Sequence, residues 1–229
     1  MDYRVEGQAA YVLHTRAYRD TSAIVELFTL EHGRVAAVSR GMRRANSKSK
    51  ALLQPFVPLQ VNWQGRNELK TLTLAESTGY TGMLSGNALI CALYANELLL
   101  KLLAVFDPYP KLFVYYQYLI NSLLENDIEV ALRIFERQLL IAIGYAADFS
   151  ELEPTSIYFF DLKQLVFKKV ATIDDRYKSL YFWGEHLQAM GNDDYASKDV
   201  RKAAKRFSRL QIDHLLQGNA LNSRGLFQR

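Results

Sequence analysis

The chain has 229 residues, 49% of them hydrophobic and 23% charged, with a net charge of +4 and a pI near 9.0. That length suits one large domain or two to three small ones, and the apolar content excludes wholesale disorder. Cys91 is the single cysteine, which excludes an internal disulfide and a cysteine-based zinc cluster.

The N-terminal MDYRVEGQAA has no apolar core of signal-peptide type. The longest apolar run, ALICALYANELLLKLLAVF at 88–106, contains Asn96, Glu97 and Lys101. A membrane span of about 20 apolar residues rarely carries such groups. The expectation is a soluble cytoplasmic protein with no membrane partner.

Short strands dominate the first third. QAAYVLHTR at 8–16 is aromatic and aliphatic, and SAIVELFTL at 22–30 puts Val25 and Leu27 on one face. EHG turns the chain into RVAAVSR at 34–40. FVPLQVNW alternates Val57, Leu59, Val61 and Trp63; QGRN turns, and ELKTLTLAE at 68–76 returns. Five such strands predict a small closed barrel over residues 1–80, with Pro55 and Pro58 at an edge or bend. Its aromatics, among them Tyr11, Phe28, Trp63 and Tyr80, are expected to be mostly core.

From residue 81 to 229 the apolar spacing becomes three and four. NALICALYANELLLKLL, KLFVYYQYLINSLLEN and EVALRIFERQLLIAIGY read as amphipathic helices. An irregular stretch at about 150–195 holds a hairpin in TSIYFFDLKQLVFKKVAT, and a last helix covers about 196–216. The fold class is therefore α+β: a five-stranded barrel, then a helical domain with a small C-terminal hairpin region.

Charge is segregated. Residues 34–50 carry six bases and no acid: Arg34, Arg40, Arg43, Arg44, Lys48 and Lys50. From Val38 to Lys50 the run lacks the apolar periodicity of a helix or strand. A dense set of flexible cations suits a polyanion, because neutralising phosphates and releasing counterions requires density rather than fixed geometry. The plain alternative is a solvated loop. Arg66 and Lys70, at the QGRN turn and after it, extend the candidate DNA surface.

A second cationic set lies in KDVRKAAKRFSRL, where Lys198, Arg201, Lys202, Lys205, Arg206 and Arg209 share one helical face. Like charges so placed repel by a few tenths of a kcal/mol per pair, about 0.2–0.5, which an anionic partner offsets. Pairing with Asp199 and Asp213 is the alternative.

Enzyme signatures are missing. There is no phosphate-binding glycine loop and no G-x-S-x-G, and the four histidines are scattered. Asp174–Asp175 and Asp193–Asp194 could hold a divalent ion, but adjacent loop acids are normally just hydrated. Glu97 reads as a structural acid. Arg133 and Arg137, on one helix with Glu129 and Glu136, read either as internal ion pairs or as cations beside an apolar groove.

FTLEHGRVAAVSRGMRR followed by ALLQPFVPLQV is similar to the N-terminal signature of the RecO family. YANELL, LRIFERQLLIAIGY, RKAAKRF and LNSRGLF resemble its later landmarks in the same order. The resemblance implies an OB-fold, binding to single- and double-stranded DNA, strand annealing, and contact with the acidic C-terminal tail of single-strand binding protein. It further implies RecR as partner in loading RecA, and a nucleoid-associated location. Arg133, with Arg137, is the implied tail site. Many members carry four cysteines as a zinc module after the GY motif, whereas GYAADFSELEPTSIYFF has none. No metal, cofactor or small-molecule substrate is expected. The rival readings are an adaptor for acidic peptides and a metal-dependent nucleic-acid enzyme.

Overall fold

Leu59, Val61 and Trp63 are buried while Gln60, Asn62 and Gln64 between them are not, so this stretch presents one face to a core. The same alternation closes a barrel. The computed structural model describes residues 3–79, 82–125 and 128–228. Tyr80 lies outside them.

The barrel strands are β1 (Arg4–Tyr18), β2 (Ser22–Thr29), β3 (Gly33–Ser39), β4 (Leu59–Gln64) and β5 (Lys70–Ser77), in the order β1-β2-β3-β5-β4. A short helix, α1 (Lys48–Leu52), separates β3 from β4. β3 and β5 pair in parallel, Ala37 with Lys70 and Val38 with Thr71. This is the OB-fold topology. Val12, Val25, Leu27, Val35, Leu59, Val61 and Trp63 fill the interior.

β1 is longer than the sequence pattern predicts. Register shifts between Val5 and Gln8 and between Val12 and His14 bend it, so its first half pairs with β4 and its second with β2. β4 starts only after Pro55 and Pro58, which keeps proline out of the ladder. At the β2–β3 turn Gly33 has φ +62, and a Cβ there would sit 1.8 Å from the Asp107 carbonyl oxygen. Only glycine fits.

Tyr11 faces Phe28 across the β1–β2 ladder, so both rings emerge on the same outer face. Two helices, α2 (Gly86–Leu102) and α3 (Pro110–Leu124), close over them. Phe113 and Tyr116 pack on the two rings at centroid distances of 5.1–6.0 Å. Buried Asn96 donates to the Leu13 carbonyl at 3.0 Å and accepts from the Tyr116 hydroxyl at 2.6 Å. This polar pin explains a polar residue in an apolar helix. A boundary at residue 80 marks where strands give way to helices. Compactness instead groups Met1–Asn126 with Leu221–Arg229, and Asp127–Ala220 as a second unit.

The second unit contains α4 (Ile128–Ala142), β6 (Ile157–Asp161), β7 (Val166–Val170), β8 (Tyr181–Trp183), α5 (Gly184–Gly191) and α6 (Lys198–Leu216). β6 and β7 form the expected hairpin, and β8 adds a third strand in the order β7-β6-β8. Phe149, Phe160, Phe167, Phe182 and Phe207 form an aromatic cluster beneath the sheet. Burying these rings supplies the cohesion of a small module. β8 and α5 were not legible in the sequence, being too short for a period to register.

Candidate functional site

Arg40, Arg43, Arg44, Lys48 and Lys50 are all exposed. Among the described residues, none of the five stands within ion-pair distance of a carboxylate. The loop is nevertheless ordered at its root. The Arg43 backbone N–H donates to the Thr21 carbonyl at 2.9 Å, and its Nη1 donates to the Arg19 carbonyl at 3.1 Å. These bonds tie the loop to the β1–β2 turn. α1 begins inside the basic run, a single turn too short to leave a periodic trace.

Arg34 departs from this group. Its Nη1 donates to the carbonyls of Leu100 and Leu103, the latter at 3.0 Å, and its Nη2 lies 3.9 Å from the Glu26 carboxylate. The guanidinium satisfies the last carbonyls of α2 and favours the negative end of its dipole. Arg66 is exposed and lies over the Tyr3 ring; Lys70 is half-buried.

The cationic face of α6 also divides. Lys198, Lys202, Lys205 and Arg209 are exposed along the centre of the stripe. Lys202 meets Asp199 at 3.1 Å, an exposed pair worth about 0.3–0.5 kcal/mol. Arg201 and Arg206, on the two margins, turn inward. Arg201 Nη1 donates to the carbonyls of Tyr195 and Ala196 at 2.6 and 2.7 Å, and its Nε lies 3.3 Å from Glu129. Arg206 donates to the Tyr181 carbonyl at 2.5 Å and lies 4.3 Å from the Phe182 ring centroid. Burial lowers its pKa from the usual arginine value. A cleft of about 290 Å³ is lined by Lys202, Lys205, Arg206, Arg209, Leu210 and Asp213.

A larger cavity of about 680 Å³ opens in the same unit. Leu140, Ile141, Phe149, Met190 and Phe207 give it apolar walls, and Arg133 and Arg137 supply cations. Arg133 is 5% exposed and lies 2.5 Å from the buried Glu136 carboxylate, one turn along α4. Its Nε has no hydrogen-bond partner among the described residues. Arg137 Nη1 donates to both oxygens of Asp193, at 3.0 and 2.9 Å, and Nη2 donates to the Gly191 carbonyl at 2.9 Å. Tyr195 completes the rim; burial, then the charge of Asp193, push its phenol well above the usual value, so it stays protonated.

The acidic pairs resolve into local roles. Asp174 is gripped by Arg176, Asp193 by Arg137, and Asp194 accepts the Ala196 N–H at 3.1 Å. Among the described residues no group of three or more His, Cys, Asp or Glu side chains converges. No helix of the described residues is long and apolar enough to cross a membrane.

Residues 1–80 match the family model for recombination protein O N terminal, and residues 83–151 match recombination protein O C terminal. DNA repair protein RecO of Cellvibrio japonicus is 41% identical, over 98% of this chain and 97% of its own length. The chain belongs to the RecO family. DNA repair protein RecO of Methylococcus capsulatus is 40% identical over 98% of this chain and 94% of that protein; the Marinobacter nauticus protein is 38% identical over 97% and 94%. The RecO membership places the chain among DNA repair and recombination proteins with an N-terminal OB-fold.

In this RecO chain the sequence reading missed the far wall of the large cavity. Gln188, Met190 and Tyr195 line it from α5 and the turn after it. Asp193 occupies the left-handed region at φ +54, which Asp tolerates better than most residues. The one available signal was the Gly-Asn-Asp-Asp run at 191–194, a turn signature that names no partner.

Proposed function

We propose that the chain is a non-enzymatic recombination mediator that binds single- and double-stranded DNA and anneals complementary strands. The observation that carries this reading is the loop of five exposed cations, without carboxylate partners among the described residues, on an OB barrel. Cations so placed screen phosphate repulsion, so two strands approach and base pairing does the rest. Lys198, Lys202, Lys205 and Arg209 of α6 supply further phosphate contacts.

The large cavity is the proposed dock for the acidic C-terminal tail of single-strand binding protein. Its apolar walls accept an aromatic residue, while Arg133 and Arg137 in its lining supply positive charge for the accompanying carboxylates. Docking recruits the chain to coated DNA, where it acts with RecR in loading RecA, in the cytoplasm at the nucleoid.

The test is annealing of complementary oligonucleotides, bare and coated with single-strand binding protein. The Arg43→Ala, Arg44→Ala, Lys48→Ala, Lys50→Ala variant is expected to anneal bare strands poorly. Ile141→Glu, which places a negative charge at the 41% exposed cavity wall, is expected to lose activity on coated strands alone. Normal annealing by the loop variant removes the loop from the account. Failure of the parent to shift bare oligonucleotides, with retained binding of an acidic peptide ending in phenylalanine, would favour an adaptor instead.

A further inference from the structure

The strand directions place the β4–β5 turn at the opposite end of the barrel from the basic loop. Two exposed rings meet this turn, each with its own cation. Tyr3 is 45% exposed beneath Arg66, whose Cζ lies 4.9 Å from the ring centroid. Phe106 is 39% exposed, with Lys70 Nζ 4.9 Å from its centroid. Gly65 links the pairs: its N–H donates to the Tyr3 carbonyl at 3.1 Å, and its carbonyl accepts from Lys70 Nζ at 3.2 Å.

Phe106 is held there against its own preference. Its φ of +59 is an outlier for a bulky side chain. The strain persists because Val105 bridges Arg34 and the Phe106 N–H donates to the Arg34 carbonyl at 3.0 Å. Residues held in sparsely populated backbone regions cluster at ligand sites, and this one presents an apolar ring to solvent beside a cation. In OB-folds the β4–β5 loop is one of the loops that contact oligonucleotides.

The geometry points to Tyr3 and Phe106 as a nucleobase-stacking platform for an unpaired DNA strand, with Arg66 and Lys70 as the adjoining phosphate contacts. This rests on the reading that the barrel binds DNA and adds what distinguishes an unpaired strand from a duplex. Stacking needs a free base face, so it favours single strands, whereas the loop cations do not discriminate.

The test uses the full chain, with labelled oligo(dT) and a blunt duplex followed by fluorescence anisotropy at one salt concentration. Tyr3→Ala and Phe106→Ala are each expected to weaken oligo(dT) binding about tenfold, while duplex affinity changes less than about twofold. Phe106→Trp, which keeps the ring, is expected to retain affinity and to show added indole emission that oligo(dT) quenches. Unchanged oligo(dT) binding in both alanine variants, an equal loss on duplex, or an unquenched indole at saturation overturns the platform. The loop reading is judged separately: if the four-alanine loop variant keeps the parent's salt dependence while Phe106→Ala still loses oligo(dT), the loop fails and the platform stands.

Discussion

Arg137 and Asp193 are locked together, one guanidinium nitrogen reaching both carboxylate oxygens at 3.0 and 2.9 Å. The cation best placed to meet a peptide carboxylate in the large cavity is therefore already matched by an acid of the chain itself. An incoming carboxylate has to displace Asp193. Asp193→Asn keeps the left-handed backbone at φ +54 accessible and removes the competing charge. The expected outcome is tighter binding of an acidic peptide ending in phenylalanine, by about three- to tenfold, since one charge-assisted contact is worth about 1 kcal/mol or more. Isothermal calorimetry measures it, and weaker binding would mean that Asp193 positions Arg137 rather than masking it.

Arg133 is a poor probe of the same cavity. It is 5% exposed and 2.5 Å from Glu136, itself 1% exposed. Removing the guanidinium from beside a buried carboxylate costs about 3 kcal/mol. Arg133→Ala is expected to lower the denaturation midpoint strongly, whereas Ile141→Glu should change stability by less than about 0.5 kcal/mol. Urea unfolding separates the two, and any loss of peptide binding in Arg133→Ala has to be read against that loss of stability.

The loop makes a salt-dependence prediction. If Arg43, Arg44, Lys48 and Lys50 each neutralise a phosphate of a single strand, replacing all four with Ala reduces the slope of log affinity against log salt by about 3. Thermal stability should barely move, since among the described residues Arg43 alone of the four makes a side-chain bond to the body. A titration of oligonucleotide binding across salt concentrations decides the matter.

On α6, neighbouring cations are expected to behave oppositely. Arg206→Ala removes the bond to the Tyr181 carbonyl and the packing on Phe182, and should cost about 1–2 kcal/mol of stability. Lys205→Ala and Arg209→Ala should leave stability unchanged, or raise it slightly by relieving like-charge repulsion, while weakening DNA binding. Melting curves alongside gel shifts check both halves.

Glu97 ties the C-terminal turn Asn222–Gln228 to α2, accepting from the backbone N–H groups of Asn222 and Ser223 at 2.9 Å and from the Ser223 hydroxyl at 2.6 Å. Burial pushes the carboxyl up, but the bonds from Ser223 and Asn222 and the charge of Lys101 outweigh it, and its pKa falls below the usual carboxylate value. A depressed folded-state pKa gives stability that is present above the unfolded-state value, about 4.3, and is lost as pH falls through the folded value. Glu97→Gln should cost about 1–2 kcal/mol at neutral pH and should flatten the acid limb of the stability curve below about pH 4. An acid limb as steep as the parent's would exclude Glu97 from it.

Sequence periodicity alone was enough to identify the barrel and the longer helices. The alternation of Leu59, Val61 and Trp63, and the three-and-four spacing of α2, α3, α4 and α6, are carried by neighbours along the chain, and elements follow from neighbours. The charge surplus of residues 34–50 is likewise a local property. The fate of each cation is not. Arg34 and Arg40 lie six residues apart in one basic run, yet Arg34 is captured by carbonyls 66 and 69 residues away while Arg40 stays in solvent. Arg201 and Arg206 are captured in the same way at the margins of a stripe whose centre stays exposed. Asp193 looked like half of a hydrated pair until Arg137, 56 residues earlier, was brought to it. A cation or an acid takes whichever partner the packed backbone delivers, and that delivery is a long-range outcome of the core that no window of sequence contains.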